Sequence, residues 1–281
     1  MSGRTQGAQP EWTENRPPRG RLPDLQLAEA WRYRELAFFL AQRTFKLRYK
    51  QTFFGVAWAL MQPLAALLIF TLVFEGIVGE APGGVPYVLF AYSGLIAWTY
   101  VSGAVDDAAR SLADNPDLVT KIYFPRLLAP IAAVLPGLVD LAVTLPFAGV
   151  LLIGYERAPD LALVLLPVWV VAAALVALGV GLWLSALNVR YRDVRHVLTF
   201  GLQAWFFASP VVYYLDLVES DLSNLFVLNP MVGVLEGFRW SLVAGETPST
   251  IGLLSLGTGT LVLISGLLYF RAAEHRFADV V

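Results

Sequence analysis

The chain has 281 residues, 57% of them apolar and 15% charged, with a mean hydropathy of +0.62. Soluble globular chains carry about 25% charged residues, and a domain of this size has too little polar surface to cover so much apolar side chain. Composition therefore excludes a soluble domain and points to an integral membrane protein. The net charge of −2 decides little, because the placement of charge matters more than its sum, and the lack of cysteine excludes disulfides and thiolate metal sites.

Residues 1–23 are polar and rich in Pro, Gly and Arg, with no apolar core; they read as a disordered cytoplasmic tail rather than a secretory signal. Residues 24–52 follow a different pattern. Asp24 suits an N-cap, and Leu27, Trp31, Leu36, Phe39, Leu40 and Leu47 recur between Arg32, Arg34, Arg43 and Lys46. This predicts an amphipathic helix in the membrane interface, either a plain surface anchor or one that also touches a cytoplasmic partner.

From residue 53 onward the chain is expected to form a transmembrane domain ending at residue 281. Six stretches are long and apolar enough to span: 53–78, 86–105, 127–154, 161–187, 197–215 and 250–270. None contains Lys or Arg. Of the 20 basic residues, 18 fall before the first span, in the second and fourth connections or after the last span; only Arg157 and Arg239 fall in the alternate connections. The positive-inside rule then places both termini in the cytoplasm, which agrees with an even number of spans. The predicted fold is all-α and integral membrane, with six transmembrane helices.

Within the first span, Gln62-Pro63 interrupts the apolar run directly after the cluster Lys46, Arg48 and Lys50. The cations mark the membrane surface. Proline predicts a kink, suited to a helix lining a pathway and equally to tight packing against a neighbour. In the connection 106–126, Asn115 as cap, Pro116 at the first helical position and Asp117 in the first turn open a short helix that Pro125 ends. It is either an ordered turn or a handle for a cytoplasmic partner. Asp140 is the one acid well inside an apolar span; at mid-membrane it needs a partner, and a hydrogen-bonded packing role outweighs a proton relay. The basic connection "NVRYRDVRH" is explained by headgroup contact, and His196 and His275 stand singly without metal-ligand spacing.

Aromatic residues crowd the first, second and fifth spans. Aromatic rings pair an apolar surface with polar tips, so such residues can line a pathway as well as anchor a helix at the interface. Trp58, Gln62, Phe70, Trp205 and Phe206 are the candidate lining. Trp98, Tyr100, Tyr213 and Tyr214, near span ends, read as an interfacial belt.

The stretches "DLQLAEAWRYREL", "RYKQTFFGVAWALMQP", "YFPR", "NVRYRDV", "LNP" and "RFADV" occur in an order that closely resembles the permease subunit of type-2 ABC exporters of cell-surface polysaccharide. The resemblance runs from about residue 24 to the C-terminus. It implies a homodimer in the bacterial inner membrane, working with two ATP-binding cassette subunits to move undecaprenyl-linked polysaccharide such as O-antigen, capsule or teichoic acid. By position it implies an ATPase-coupling helix at 115–124, including Asn115, Pro116, Asp117, Leu118, Lys121, Tyr123 and Phe124. It also implies short re-entrant helices between the fifth and sixth spans, where "FVLNPMVGVLEGFRWSLVAG" fits and Glu236 and Arg239, three apart, share a helical face. Of the three lysines, Lys46, Lys50 and Lys121, none follows a glycine, so there is no P-loop. No cofactor or metal is expected in this chain, ATP and Mg belonging to the partner subunit, and no nucleic acid partner is expected beside membrane lipids.

Two other classes stay open on residues alone. A secondary transporter would show several intramembrane charges or an internal repeat. A prenyl or glycosyl transferase would need paired acidic motifs, whereas Asp106-Asp107 is the only adjacent acidic pair.

Overall fold

The computed structural model describes residues 27–50, 55–78, 82–115, 125–191, 193–215, 223–274 and 277. All regular elements among the described residues are helices, as the apolar runs predict. They are α1 (Leu27–Arg32), α2 (Arg34–Tyr49), α3 (Ala57–Val78), α4 (Tyr87–Arg110), α5 (Leu128–Val134), α6 (Pro136–Gly154), α7 (Leu166–Arg190), α8 (Val194–Phe207), α9 (Met231–Val243) and α10 (Thr250–Glu274), with short 3-10 turns before α4, α7 and α9.

Among the described residues, five segments are long and apolar enough to cross a membrane: α3, α4, α5 with α6, α7 with the turn before it, and α10. The all-α membrane class holds, but the predicted fifth span is shorter than expected. Where a helix over 197–215 was predicted, α8 ends at Phe207 after 14 residues. It rises only about 21 Å against a hydrocarbon core of about 30 Å. The physical reason is the Ser209-Pro210 pair. A proline has no N–H to donate and pushes the residue before it out of the helical region.

The bundle is built around α4, whose membrane window is 78% buried against 11% for α3. It contacts α3, α5, α6, α7, α8 and α9. Such a hub must let neighbours approach from several sides, and small residues allow it. A side chain at Gly94 would run into the Val211 carbonyl, and one at Gly181 of α7 into Ala108. The pair α7 and α10 is locked similarly: Gly179 faces the backbone at Leu263, and Gly266 faces the Gly179 carbonyl. α3 runs through Pro63 as one helix, and the third span instead breaks at Leu135-Pro136, between α5 and α6.

Helices stand where the interface helix was predicted, as α1 and α2, interrupted at Tyr33. It carries two apolar surfaces rather than one. Ala30, Ala37 and Ala41 pack into a second core with Leu112, Leu127, Leu128, Leu182, Phe270 and Phe277, while Trp31, Phe38, Phe39 and Leu47 remain exposed. Short side chains bring the helix close to the bundle, and the long ones stay exposed on its other side. Arg126 donates to the Glu274 carbonyl at 2.6 Å, and Phe270 meets Phe277 edge to face. The helix of residues 27–49 thus shares one packed layer with Phe270 and Phe277.

Candidate functional site

At the α2 end of the bundle, the chain passes from the interface helix into α3 beside a cluster of ionisable groups. Arg48, in the last turn of α2, donates to the Asp140 carboxylate on α6 at 2.5 Å and to the Asp107 carboxylate on α4. The Tyr49 hydroxyl donates to the other Asp140 oxygen at 2.5 Å. All three ion-pair members are mostly shielded, with less than a third of each side chain exposed. Burial works against the Arg48 charge, but Asp107 and Asp140 outweigh it and hold its pKa above the ordinary value. Burial first, and the bond to Asp140 second, push the Tyr49 phenol up to about 12, so it remains a donor.

Asp140 thus has its partner, and it lies level with the end of α2 rather than in isolation mid-span. Beside this cluster is a cavity of about 310 Å³ between α2, α3, α4 and α6, whose wall includes Trp58, Gln62, Thr99, Tyr100, Asp106 and Thr144. Ser102, Gly103 and Asp106 of α4 also face a second, wider hollow against α8, bounded by Trp98, Gln203, Phe206 and Phe207. Between the two, aromatic rings link three helices. Trp98 sits edge-on to Trp205 and to Phe206, both at 5.5 Å, and Phe206 meets Phe70 of α3 at 5.6 Å.

The predicted lining residues therefore divide. Trp58 and Gln62 stand on the wall of the first cavity, Phe206 on the second hollow, and Phe70 packs behind it on Phe74. Trp205 is held back by a hydrogen bond from its indole N–H to Asn229 Oδ1 at 2.9 Å. Trp98 and Tyr100, expected in an interfacial belt, are buried in the bundle. They sit on α4, which neighbours surround, so the bilayer does not reach them.

The opposite end of α4 carries a second polar construction that sequence reasoning missed. Asn229, in "LNP", uses its whole side chain. Its amide donates to the Ala208 carbonyl at 3.0 Å and to Ser209 Oγ at 2.9 Å, and its oxygen accepts from Trp205 and from the Met231 N–H at 3.1 Å. It joins the exit of α8 to the start of α9, where it accepts from the first N–H of the helix. The signal was an Asn-Pro at a helix start, which spacing alone does not tie to a tryptophan 24 residues away. α9 itself, the predicted re-entrant segment, is 13 residues long and buried along most of its length. Arg239 and Glu236 take their described hydrogen bonds from different neighbours. Arg239 donates to the Pro210 and Val211 carbonyls at 2.6 and 2.8 Å and lies 3.6 Å over the Phe90 ring. Glu236 accepts from the Ser249 N–H at 2.8 Å and its hydroxyl at 3.0 Å.

Of the predicted coupling helix only Asn115 lies within the described residues; Pro116, Asp117, Leu118, Lys121, Tyr123 and Phe124 lie outside them. Its root is firmly set. The Asn115 amide donates to the Ser111 carbonyl at 3.0 Å, Asn188 donates to the Ala109 carbonyl at 2.9 Å, and Arg195 pairs with Asp114. The basic "NVRYRDVRH" connection, expected to meet headgroups, is therefore bonded to the end of α4.

A hub helix, a set of apolar spans and a short buried helix between the last two describe a polytopic membrane protein. The chain belongs to the ABC-2 type transporter family, whose model matches residues 35–243. It is 31% identical over 256 residues to the O-antigen export system permease protein RfbA of Myxococcus xanthus, covering 90% of this chain and 98% of that protein. A protein of the same name from Klebsiella pneumoniae is 24% identical over 249 residues, covering 88% and 95%. The polysialic acid transport protein KpsM of Escherichia coli is 26% identical over 244 residues, covering 85% and 93%.

Proposed function

We propose that this multi-pass permease is the conduit of an ATP-driven exporter that moves undecaprenyl-linked polysaccharide of O-antigen type across the bacterial inner membrane. The observation that carries the reading is the end-to-end similarity to an O-antigen export permease, 31% over nearly the whole of both chains. The chain works as a homodimer with two separate ATP-binding subunits, which hold the ATP and Mg. Its termini and the Arg48 end of the bundle face the cytoplasm, as the 18-to-2 division of basic residues favours.

The geometry supports a mechanical route. A partner gripping 115–124 acts at the end of α4, the helix that contacts most of the others. Displacement there carries with it the Arg48 junction through Asp107 and the start of α8 through Asp114 and Arg195. The apolar, little-buried α3 and the short α8 then separate or close around the glycan. The similarity to a polysialic acid transporter supports capsule export as a second cargo, with teichoic acid the third of the same class.

The test is co-purification with the ATPase encoded beside this chain, followed by hydrolysis measured with and without lipid-linked glycan. A stable complex whose hydrolysis responds to glycan lipid is expected. No complex with any ATPase would sink the reading. A Tyr123 or Pro116 substitution should leave expression intact and uncouple hydrolysis from the glycan; normal coupling in both variants removes the role assigned to 115–124.

A further inference from the structure

Resting on the reading of this chain as a polysaccharide permease, we infer that the cavity between α2, α3, α4 and α6 is a subsite for a single sugar ring, and that it selects sugar hydroxyls over the diphosphate of the lipid carrier. Four observations carry this. First, the volume of about 310 Å³ lies at the lower bound of ligand pockets, roughly 300–1,000 Å³, so it suits one ring and not a chain.

Second, the wall is mixed in the way a sugar needs. Trp58 offers an aromatic face for C–H groups, and Gln62, Thr99, Ser102 and Thr144 add amide and hydroxyl groups. Third, the charge balance opposes an anion. Among the described residues the one guanidinium on the wall, Arg48, is shared between Asp107 and Asp140, and Asp106 beside them pairs with Arg110. A diphosphate would meet three carboxyl groups, and the described cations beside them are already committed to those carboxyls. A sugar hydroxyl, by contrast, donates to carboxylate oxygens, the arrangement in which hydrogen bonds are strongest.

Fourth, Tyr100 forms part of this wall, is 4% exposed, and has a hydroxyl with no hydrogen-bond partner. Buried polar groups are nearly always paired, and each exception calls for an explanation. A ligand oxygen seated at the foot of the cavity supplies the missing partner. Entry is from the α3 side, where Trp58 and Gln62 are exposed, and the site lies next to the aromatic layer of Trp98, Phe206 and Phe70. The cavity thus holds a sugar at the Arg48 end before the aromatic residues take over.

The test uses the complex of permease and ATPase in a sugar-free amphipol, with saturation-transfer NMR of a panel of methyl glycosides (glucose, galactose, mannose, rhamnose and N-acetylglucosamine) and of inorganic pyrophosphate. At least one glycoside should give a signal that Tyr100→Phe and Gln62→Ala each weaken about tenfold in affinity, the size of one lost hydrogen bond. Pyrophosphate should compete with none of it. Tyr100→Phe keeps the buried ring, so folding is preserved; Leu161→Ala, on an exposed apolar residue remote from the cavity, should change nothing. No glycoside signal sensitive to these variants, or a pyrophosphate signal that Tyr100→Phe abolishes, overturns the sugar subsite. Surface polysaccharide in cells carrying the wild-type chain is scored alongside. Export without a variant-sensitive glycoside signal defeats the subsite alone, whereas loss of the ATPase complex defeats the exporter reading.

Discussion

Arg48 and Asp140 stand 92 positions apart in the chain and meet at 2.5 Å, joining the end of the interface helix to the middle span of the Arg48 junction. Removing either member strands charge in a shielded place. Arg48→Ala leaves Asp107 and Asp140 without their shared cation, and the loss should be about 1–3 kcal/mol, the range for hydrogen bonds to charged groups left unmade. Thermal melts of the purified complex measure it. Arg48→Ala and Asp140→Ala combined should cost less than the sum of the two, because they share one interaction; strict additivity would show that the pair is not coupled.

Arg239 is 7% exposed and serves two carbonyls and a ring face at once. Lysine brings a charge but neither the planar fork nor the stacking surface. Arg239→Lys should therefore lower the melting temperature and expose the 208–214 connection to proteolysis, with a loss of about 2 kcal/mol. Wild-type protection in that variant would show that the clamp does not depend on the guanidinium shape.

Asn229→Asp retains the oxygen that receives Trp205 and Met231 but loses the amide that serves Ala208 and Ser209. A loss of about 1–3 kcal/mol is expected, with indole fluorescence altered less than in Asn229→Ala. Equal spectra for the two variants would mean that the Trp205 bond contributes nothing to its environment.

Glycines in this chain should fall into two groups under alanine substitution. Gly94→Ala meets backbone at Val211 and should destabilise by about 1–3 kcal/mol through overpacking. Gly201→Ala and Gly257→Ala meet open space in helices and should be neutral or stabilising by up to about 1 kcal/mol. A stability screen of the three in one detergent checks the division, and a neutral Gly94→Ala would contradict the close approach.

Much of the architecture was legible from hydropathy, which marked the apolar spans. The shortening of the fifth span was visible in Ser209-Pro210, yet hydropathy averages over a proline and does not register a helix end. Trp98 and Tyr100 were misplaced for a related reason. Distance from a span end tells depth in the bilayer, not whether a neighbour stands between a ring and the lipid. The demand of Asp140 for a partner was readable, but the choice of Arg48 was not, because it depends on how α2, α4 and α6 converge. Trp58 and Gln62, chosen by chemistry, stand on a cavity wall; the neighbours of Tyr100 and Asn229 came into view only with the fold.

The glycine contacts between α7 and α10 leave no slack at that seam, since backbone touches backbone at Gly179, Leu263 and Gly266. α3 is held far more loosely, with 11% of its window buried. Resistance to deformation is therefore unequal across the molecule. On the proposed coupling role of 115–124, work delivered to α4 would meet a stiff wall on one flank and an open one on the other, and would be spent turning α3 and α8 outward rather than shearing α7 past α10. The direction of such a movement would follow from which helices touch without side chains between them.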